Sequence, residues 1–198
     1  MNMKKIISFF IVACCAMCAT AAKVVWQIGV ADNSGTELAL GPSEYKKFLA
    51  HDFGYEDRYF LVGTSVDKND FPYVLPGPDD TWGGTWSTSG WRTHDANILF
   101  GIKKLPKHGK WKLVVDLVDA NPSRSVVKVM VNSAEKKFEI KGHSKGVLEG
   151  NLQDAKEQIL EFPISANDLK KGGNMVTVSV LEGGWIVFDQ IRLEGADE

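Results

Sequence analysis

Three tryptophans, Trp82, Trp86 and Trp91, fall within ten residues in the stretch PGPDDTWGGTWSTSGWRTHD at positions 76–95. Their spacings of four and five fit neither the two-residue period of a strand nor a sustained helical stripe, and the Gly, Ser and Thr between them mark irregular backbone. Indole faces pack well against the CH faces of sugar rings. The neighbouring Asp80, Arg92 and His94 carry groups that hydrogen-bond hydroxyls or a uronate carboxylate. The candidate carbohydrate-binding set is therefore Trp82, Trp86, Trp91, Asp80, Arg92 and His94. The competing reading is a folded-in loop whose rings cap the end of the domain, because large aromatics are mostly buried. The sequence leaves both open.

Other reactive residue types form weaker patterns. GHSKG at 142–146 has the spacing of a nucleophile elbow around Ser144, but that elbow needs a strand, a sharp turn and then a helix, and VLEGN follows with Gly150 and Asn151 as breakers. A glycine-rich hairpin loop is the simpler reading. His51, His94, His108 and His143 lack the spacing of a zinc site, and the cysteines, Cys14, Cys15 and Cys18, all precede residue 22. Asp67, Asp70, Asp79 and Asp80 offer oxygen ligands for a structural calcium ion, though not in an EF-hand arrangement, and carboxylates of solvated turns explain them as well. No cofactor is otherwise expected. No pair of carboxylates stands out for glycoside hydrolysis: Asp116 and Asp119 alternate with core positions along a strand, and Asp189, inside WIVFDQI, is expected to be hydrogen-bonded into the core or to a neighbouring loop.

The elements that must hold these residues begin after a leader. MNMKK is a basic start, IISFFIVACCAMC an apolar run too short to span a bilayer, and ATAA a small-residue cleavage site, so residues 1–22 read as an export signal. IVAC ending at Cys14 also fits a lipoprotein box, in which Cys14 would be lipidated; a soluble periplasmic or extracellular protein is the first choice. Loss of Lys4 and Lys5 with the leader leaves 21 cationic residues against 25 acidic ones, an acidic balance that argues against nucleic acid or an anionic membrane as partner. No second apolar run is long enough for a membrane span.

Residues 23–198 read as one domain of short strands at 24–30, 58–66, 96–102, 110–119, 126–132, 136–142, 157–164, 174–183 and 185–195. In KWKLVVDLVD, Trp111, Leu113, Val115 and Leu117 share one face, and Lys112, Val114, Asp116 and Val118 share an opposite, wet one. Helical signals are short: Ser43 as N-cap ahead of EYKKFLA, and one turn in SANDLKKGGN ending at Gly172 or Gly173. With no helices to cross over between parallel strands, the prediction is an all-β, antiparallel two-sheet β-sandwich of jelly-roll type. Trp26, Trp111 and Trp185 belong to its core.

Several stretches resemble the carbohydrate-binding-like third domain of family 4 polysaccharide lyases, the rhamnogalacturonan lyases. They are WQIGVADNSGTEL at 26–38, YEDRYFLVGTSVDKNDFPYVLPGP at 55–78, ANILFGI at 96–102 and LKKGGNMVTVSVLEGGWIVFDQIRLEG at 169–195. The matching positions are Trp26, Ile28, Gly29 and Asp32, then Val62, Gly63, Ser65, Asp70 and Pro72, then Gly173, Asn174, Phe188, Asp189, Arg192 and Leu193. The resemblance implies a galactose-binding-like jelly roll that accompanies degradation of pectic or related polysaccharides. In that family the catalytic lysine and histidine sit in a different domain, so no catalytic residue carries over. The expected function is a non-catalytic module that binds a polysaccharide or oligosaccharide, with a catalytic glycan-degrading partner. The alternatives are a part of a lyase or glycoside hydrolase whose catalytic domain lies elsewhere, and a structural module of a glycan-degrading assembly.

Overall fold

The computed structural model describes residues 23–51, 53, 58–83, 93–105 and 110–195. The leader with Cys14, and Trp86, Trp91, Arg92 and His108, lie outside the described residues. Among the described residues ten strands run in chain order: β1 (Lys23–Gly29), β2 (Arg58–Leu61), β3 (Val74–Leu75), β4 (Asp95–Ile102), β5 (Trp111–Ala120), β6 (Arg124–Val131), β7 (Ala134–Lys141), β8 (Gln158–Ile164), β9 (Gly172–Glu182) and β10 (Ile186–Gly195). They form two five-stranded sheets. One is ordered β1-β10-β5-β8, with the short β3 also paired to β10; the other is ordered β2-β4-β9-β6-β7. Every step along the chain changes sheet except the β6–β7 hairpin. The architecture is the expected β-sandwich.

One pairing breaks the antiparallel rule: β2 lies parallel to β4, with Tyr59 beside Asn97 and Leu61 beside Leu99. The strand expected over 58–66 ends at Leu61, because Ser65 Oγ turns back to accept the Leu61 N–H at 2.9 Å and a single helical turn, α1 (Asp67–Asp70), follows. Ser43 does not cap a helix: it takes a positive φ of 76°, and only a 3-10 turn forms at Tyr45–Lys47. The SANDLKKGGN turn is a 3-10 turn at Ala166–Asp168 with Ser165 in a capping box, and it ends at Leu169, before the glycines.

Period-2 alternation places the core between the sheets. Trp26, Trp111 and Trp185 are buried at 7, 5 and 3 % exposure, joined by Ile28, Leu113, Val115, Leu117, Val127, Val178 and Leu193. Burying an indole of this size is worth on the order of 4 kcal/mol. The other face of β5 is not wet as its pattern suggests, since Val114 and Asp116 are 0 and 2 % exposed. Register explains it. Val114 lies between Arg192 and Glu161, and Lys112 bridges Glu161 at 2.6 Å and Glu194 at 3.2 Å, so long charged side chains on neighbouring strands lie over the shorter ones. Burial pushes the Glu194 carboxyl up, but its bonds to Arg192 and Lys112 bring it below the usual range.

Candidate carbohydrate-binding site

The tryptophan stretch begins where β3 ends. Asp79 N–H donates to the Gly183 carbonyl at 3.2 Å, and Asp80 N–H to that of Gly77 at 3.0 Å. The Asp80 carboxylate accepts the Gly77 N–H at 2.9 Å, closing a tight turn against the β9–β10 connection. Burial pushes the Asp80 carboxyl up to about 6; the Gly77 N–H opposes the shift and Asp79 adds to it. Trp82, next in a 3-10 turn at Thr81–Gly83, is half-buried: its ring meets Tyr45 edge-on at 5.0 Å and Phe48 at 6.1 Å.

Beside this turn lies a groove of about 390 Å³, lined by Asp80, Tyr45, Asn121, Lys145, Glu149 and Trp185, among others. Five separate segments meet in it: the Asp80 turn, the Tyr45 turn, the exit of β5, the Lys145–Glu149 turn and the entry to β10. Tyr45 Oη donates to Glu149 at 3.2 Å, tying two walls together. A carboxylate, a phenol, an amide and an ammonium around one opening supply the mixed donors and acceptors that sugar hydroxyls require.

GHSKG belongs to this groove and shows no nucleophile geometry. Asp119 accepts the backbone N–H of His143 at 2.9 Å and of Ser144 at 3.0 Å, and the Ser144 hydroxyl accepts the Gly146 N–H at 3.1 Å. Ser144 thereby caps a 3-10 turn over Lys145–Glu149, which the breakers at Gly150 and Asn151 end but do not prevent. The segment is a positioned wall that presents Lys145 and Glu149.

Of the six residues in the predicted set, Asp80 lines the groove and Trp82 stands one 3-10 turn further on. His94 goes elsewhere: it is 2 % exposed, its ring edge-on to Phe48 at 5.4 Å, beside a void of about 20 Å³ among Phe53, Phe60 and Phe71. A side chain so enclosed is not among those that line the groove. Trp86, Trp91 and Arg92 lie outside the described residues. Tyr45, Asn121, Lys145 and Glu149 were missed because nothing in their local sequence marks them; only Ser144 ahead of a short turn hinted at a built segment.

Two of the calcium candidates hold backbone N–H groups instead. Asp67 accepts the Gly29 N–H at 2.9 Å, and Asp70 that of Val66 at 2.7 Å. Among the described residues, no three His, Cys, Asp or Glu side chains gather as a metal site, and no helix is long and apolar enough to cross a membrane.

The described residues thus form a two-sheet β-sandwich with a mixed polar and aromatic groove beside the Asp80 turn. The family model for the CBM-like domain III of polysaccharide lyase family 4 matches residues 24–193, and the chain belongs to that family. It is 24 % identical over 183 residues to the rhamnogalacturonate lyase of Dickeya dadantii (strain 3937), a match that takes in 87 % of this chain and 28 % of the lyase. The chain thus spans under a third of the length of that relative. Among solved structures, CBM35 from Cellvibrio japonicus Abf62 aligns over 52 % of this chain and 66 % of its own, at 12 % identity and a TM-score of 0.33. A ruminal GH26 endo-β-1,4-mannanase aligns over 73 % of this chain and 24 % of its own, at 13 % identity and a TM-score of 0.38.

Proposed function

We propose that this chain is a non-catalytic module that binds polysaccharide during the breakdown of pectic, rhamnogalacturonan-type or related glycans, and that the groove beside Asp80 with the adjoining tryptophan stretch is its contact surface. The observation that carries the reading is the placement of half-buried Trp82 next to a groove rimmed by Asp80, Tyr45, Asn121, Lys145 and Glu149. In this reading Trp82, Trp86 and Trp91 offer ring faces, while Asp80 and Arg92 orient hydroxyls or a carboxylate. Membership in a CBM-like family of polysaccharide lyases supports it. The chemistry of bond cleavage belongs to a partner or a separate domain, and residues 1–22 direct export, with lipidation at Cys14 as the alternative to a soluble product.

Single-site stacking contributes about 1 kcal/mol per ring beyond burial, so affinity is expected to be weak. The test is a titration of rhamnogalacturonan and pectic oligosaccharides followed by intrinsic tryptophan fluorescence. A saturable change that Trp82→Ala or Trp86→Ala weakens by about fivefold supports the site. Silence across a broad panel of glycans, with both variants equally silent, removes it.

A further inference from the structure

The outer face of the second sheet carries a feature that the groove beside Asp80 does not use. Gly101 on β4 and Gly173 on β9 stand directly opposite each other in the ladder. Neither has a positive φ, and a Cβ built on either would meet no atom of a described residue within 4 Å. Neither backbone conformation nor packing among the described residues requires glycine there, and glycine inside a strand weakens it; such a position marks close approach of something from outside.

What surrounds the pair is apolar and open. Leu61, Leu99, Gly101, Gly173 and Met175 line a trough of about 430 Å³, and a second opening of about 620 Å³ continues from Gly101 past Gly172 to Lys103 and Lys171. Leu61 is 45 % exposed, and Tyr59, two residues before it on the same face of β2, is 59 % exposed. The walls are fixed in place. Asn174 Nδ2 donates to the Lys170 and Gly172 carbonyls at 2.8 and 3.0 Å, and its Oδ1 accepts the Lys170 N–H at 2.8 Å. Asn132 Nδ2 donates to Asn174 Oδ1 at 2.9 Å, clamping that turn to the end of β6. Lys103 and Lys171, on strand ends paired through Ile102 and Gly172, are exposed and make no ion pair or hydrogen bond with any described residue. The nearby Asp168 carboxylate is committed to the Ser165 N–H at 3.2 Å. Two ammonium groups without an ion-pair partner among the described residues thus flank a ring-sized apolar floor on a chain whose overall charge is negative.

We propose that this trough is a second glycan site, selective for an acidic chain. The CH face of a sugar ring lies on Gly101 and Gly173 against Leu61, Leu99 and Met175, and a uronate carboxylate meets Lys103 and Lys171. Gly101 stands six residues along β4 from Asp95, where the tryptophan stretch ends, a span of about 20 Å, so the two sites act as separate contacts on one polymer. That the ligand is a glycan rests on the function proposed above; the location and the preference for negative charge do not.

The test compares polygalacturonate with its fully methyl-esterified form, the same backbone without charge, by calorimetric titration of the full chain at low and moderate salt. Lys103→Gln/Lys171→Gln is expected to weaken polygalacturonate binding about five- to tenfold, to the level of the ester, and to remove most of the salt dependence. Gly101→Val, which the extended backbone accepts, is expected to fill the floor and weaken both ligands while the melting temperature holds. Binding that Trp82→Ala abolishes but these variants leave intact overturns the second site and keeps the first. Polygalacturonate binding that needs the lysines but ignores Trp82 keeps the second site, and leaves the first to be decided by the wider glycan panel. Binding of an inorganic polyanion as tightly as polygalacturonate, with Gly101→Val without effect, reduces the site to bare charge and overturns it, and no binding of either polymer overturns the second site.

Discussion

The carboxylate of Asp189 on β10 accepts the backbone N–H of Asn33 at 3.0 Å, across 156 residues of chain. It also takes the Ser34 N–H at 3.1 Å, and at 0 % exposure it has no access to water. The loop after β1, in which Asn33 has a positive φ of 61°, is folded around this one side chain. Burial raises the Asp189 carboxyl, and the N–H groups of Asn33, Ser34 and Gly35 counter it.

Asp189→Asn replaces one accepting oxygen with a donor that faces other donors. A loss of about 2–3 kcal/mol is expected. Urea unfolding monitored by circular dichroism checks it; a midpoint unchanged from the native chain contradicts the role assigned to Asp189.

Asp116 sets a pH dependence. Burial pushes its carboxyl up to about 6, with Glu157 and Asp189 adding to the effect and Arg192 and the Leu117 N–H opposing it. A carboxyl raised in the folded state is costly to ionise, so its penalty is absent below about pH 4, grows as pH rises to about 6 and is constant above. Asp116→Asn is therefore expected to gain up to about 3 kcal/mol at pH 7 and to flatten the stability curve between pH 4 and 6. Melting temperatures across that range, native against variant, measure both.

Gly142 leaves no room for a side chain, because a Cβ there would stand 1.5 Å from the Ala120 carbonyl oxygen. Gly142→Ala is expected to cost about 3 kcal/mol and to loosen the Lys145–Glu149 wall of the groove. Ser144→Ala, which removes only the cap, is expected to cost about 1 kcal/mol and to leave ester hydrolysis at the background of the native chain. Thermal unfolding and a general esterase assay read the two effects.

His94 separates support from contact. With its ring packed on Phe48 and 2 % exposed, His94→Ala is expected to lower stability by about 2–3 kcal/mol while changing glycan affinity less than twofold. Parallel thermal melts and fluorescence titrations decide; a large affinity loss at unchanged stability would return His94 to the contact surface.

The strands were legible because their signal is local. Alternation in Trp111–Leu117 and the β-branched run Val126–Val131 are written in neighbouring residues, and β4 through β10 fall within two residues of the expected positions. The two-residue β3 carries no period to detect, and the end of β2 depends on a serine turning back four residues, which alternation cannot express. The parallel β2–β4 pair was illegible for another reason: strand direction is decided by which sheet each strand joins, and that is a property of the whole chain.

By itself the sequence determined that residues 23–195 form a double sheet without cysteine, that Trp26, Trp111 and Trp185 serve its core, and that Asp80 and Trp82 lie beside irregular backbone. Tertiary structure decided the rest. It buried His94, turned GHSKG into a groove wall, drew Tyr45, Asn121 and Glu149 to Asp80, and set Gly101 against Gly173 with two lysines at the end of the trough. The physical reason is one of range. Hydrophobic alternation acts between residues two apart, whereas a binding surface is assembled by packing and register between segments tens of residues apart, which no local pattern records.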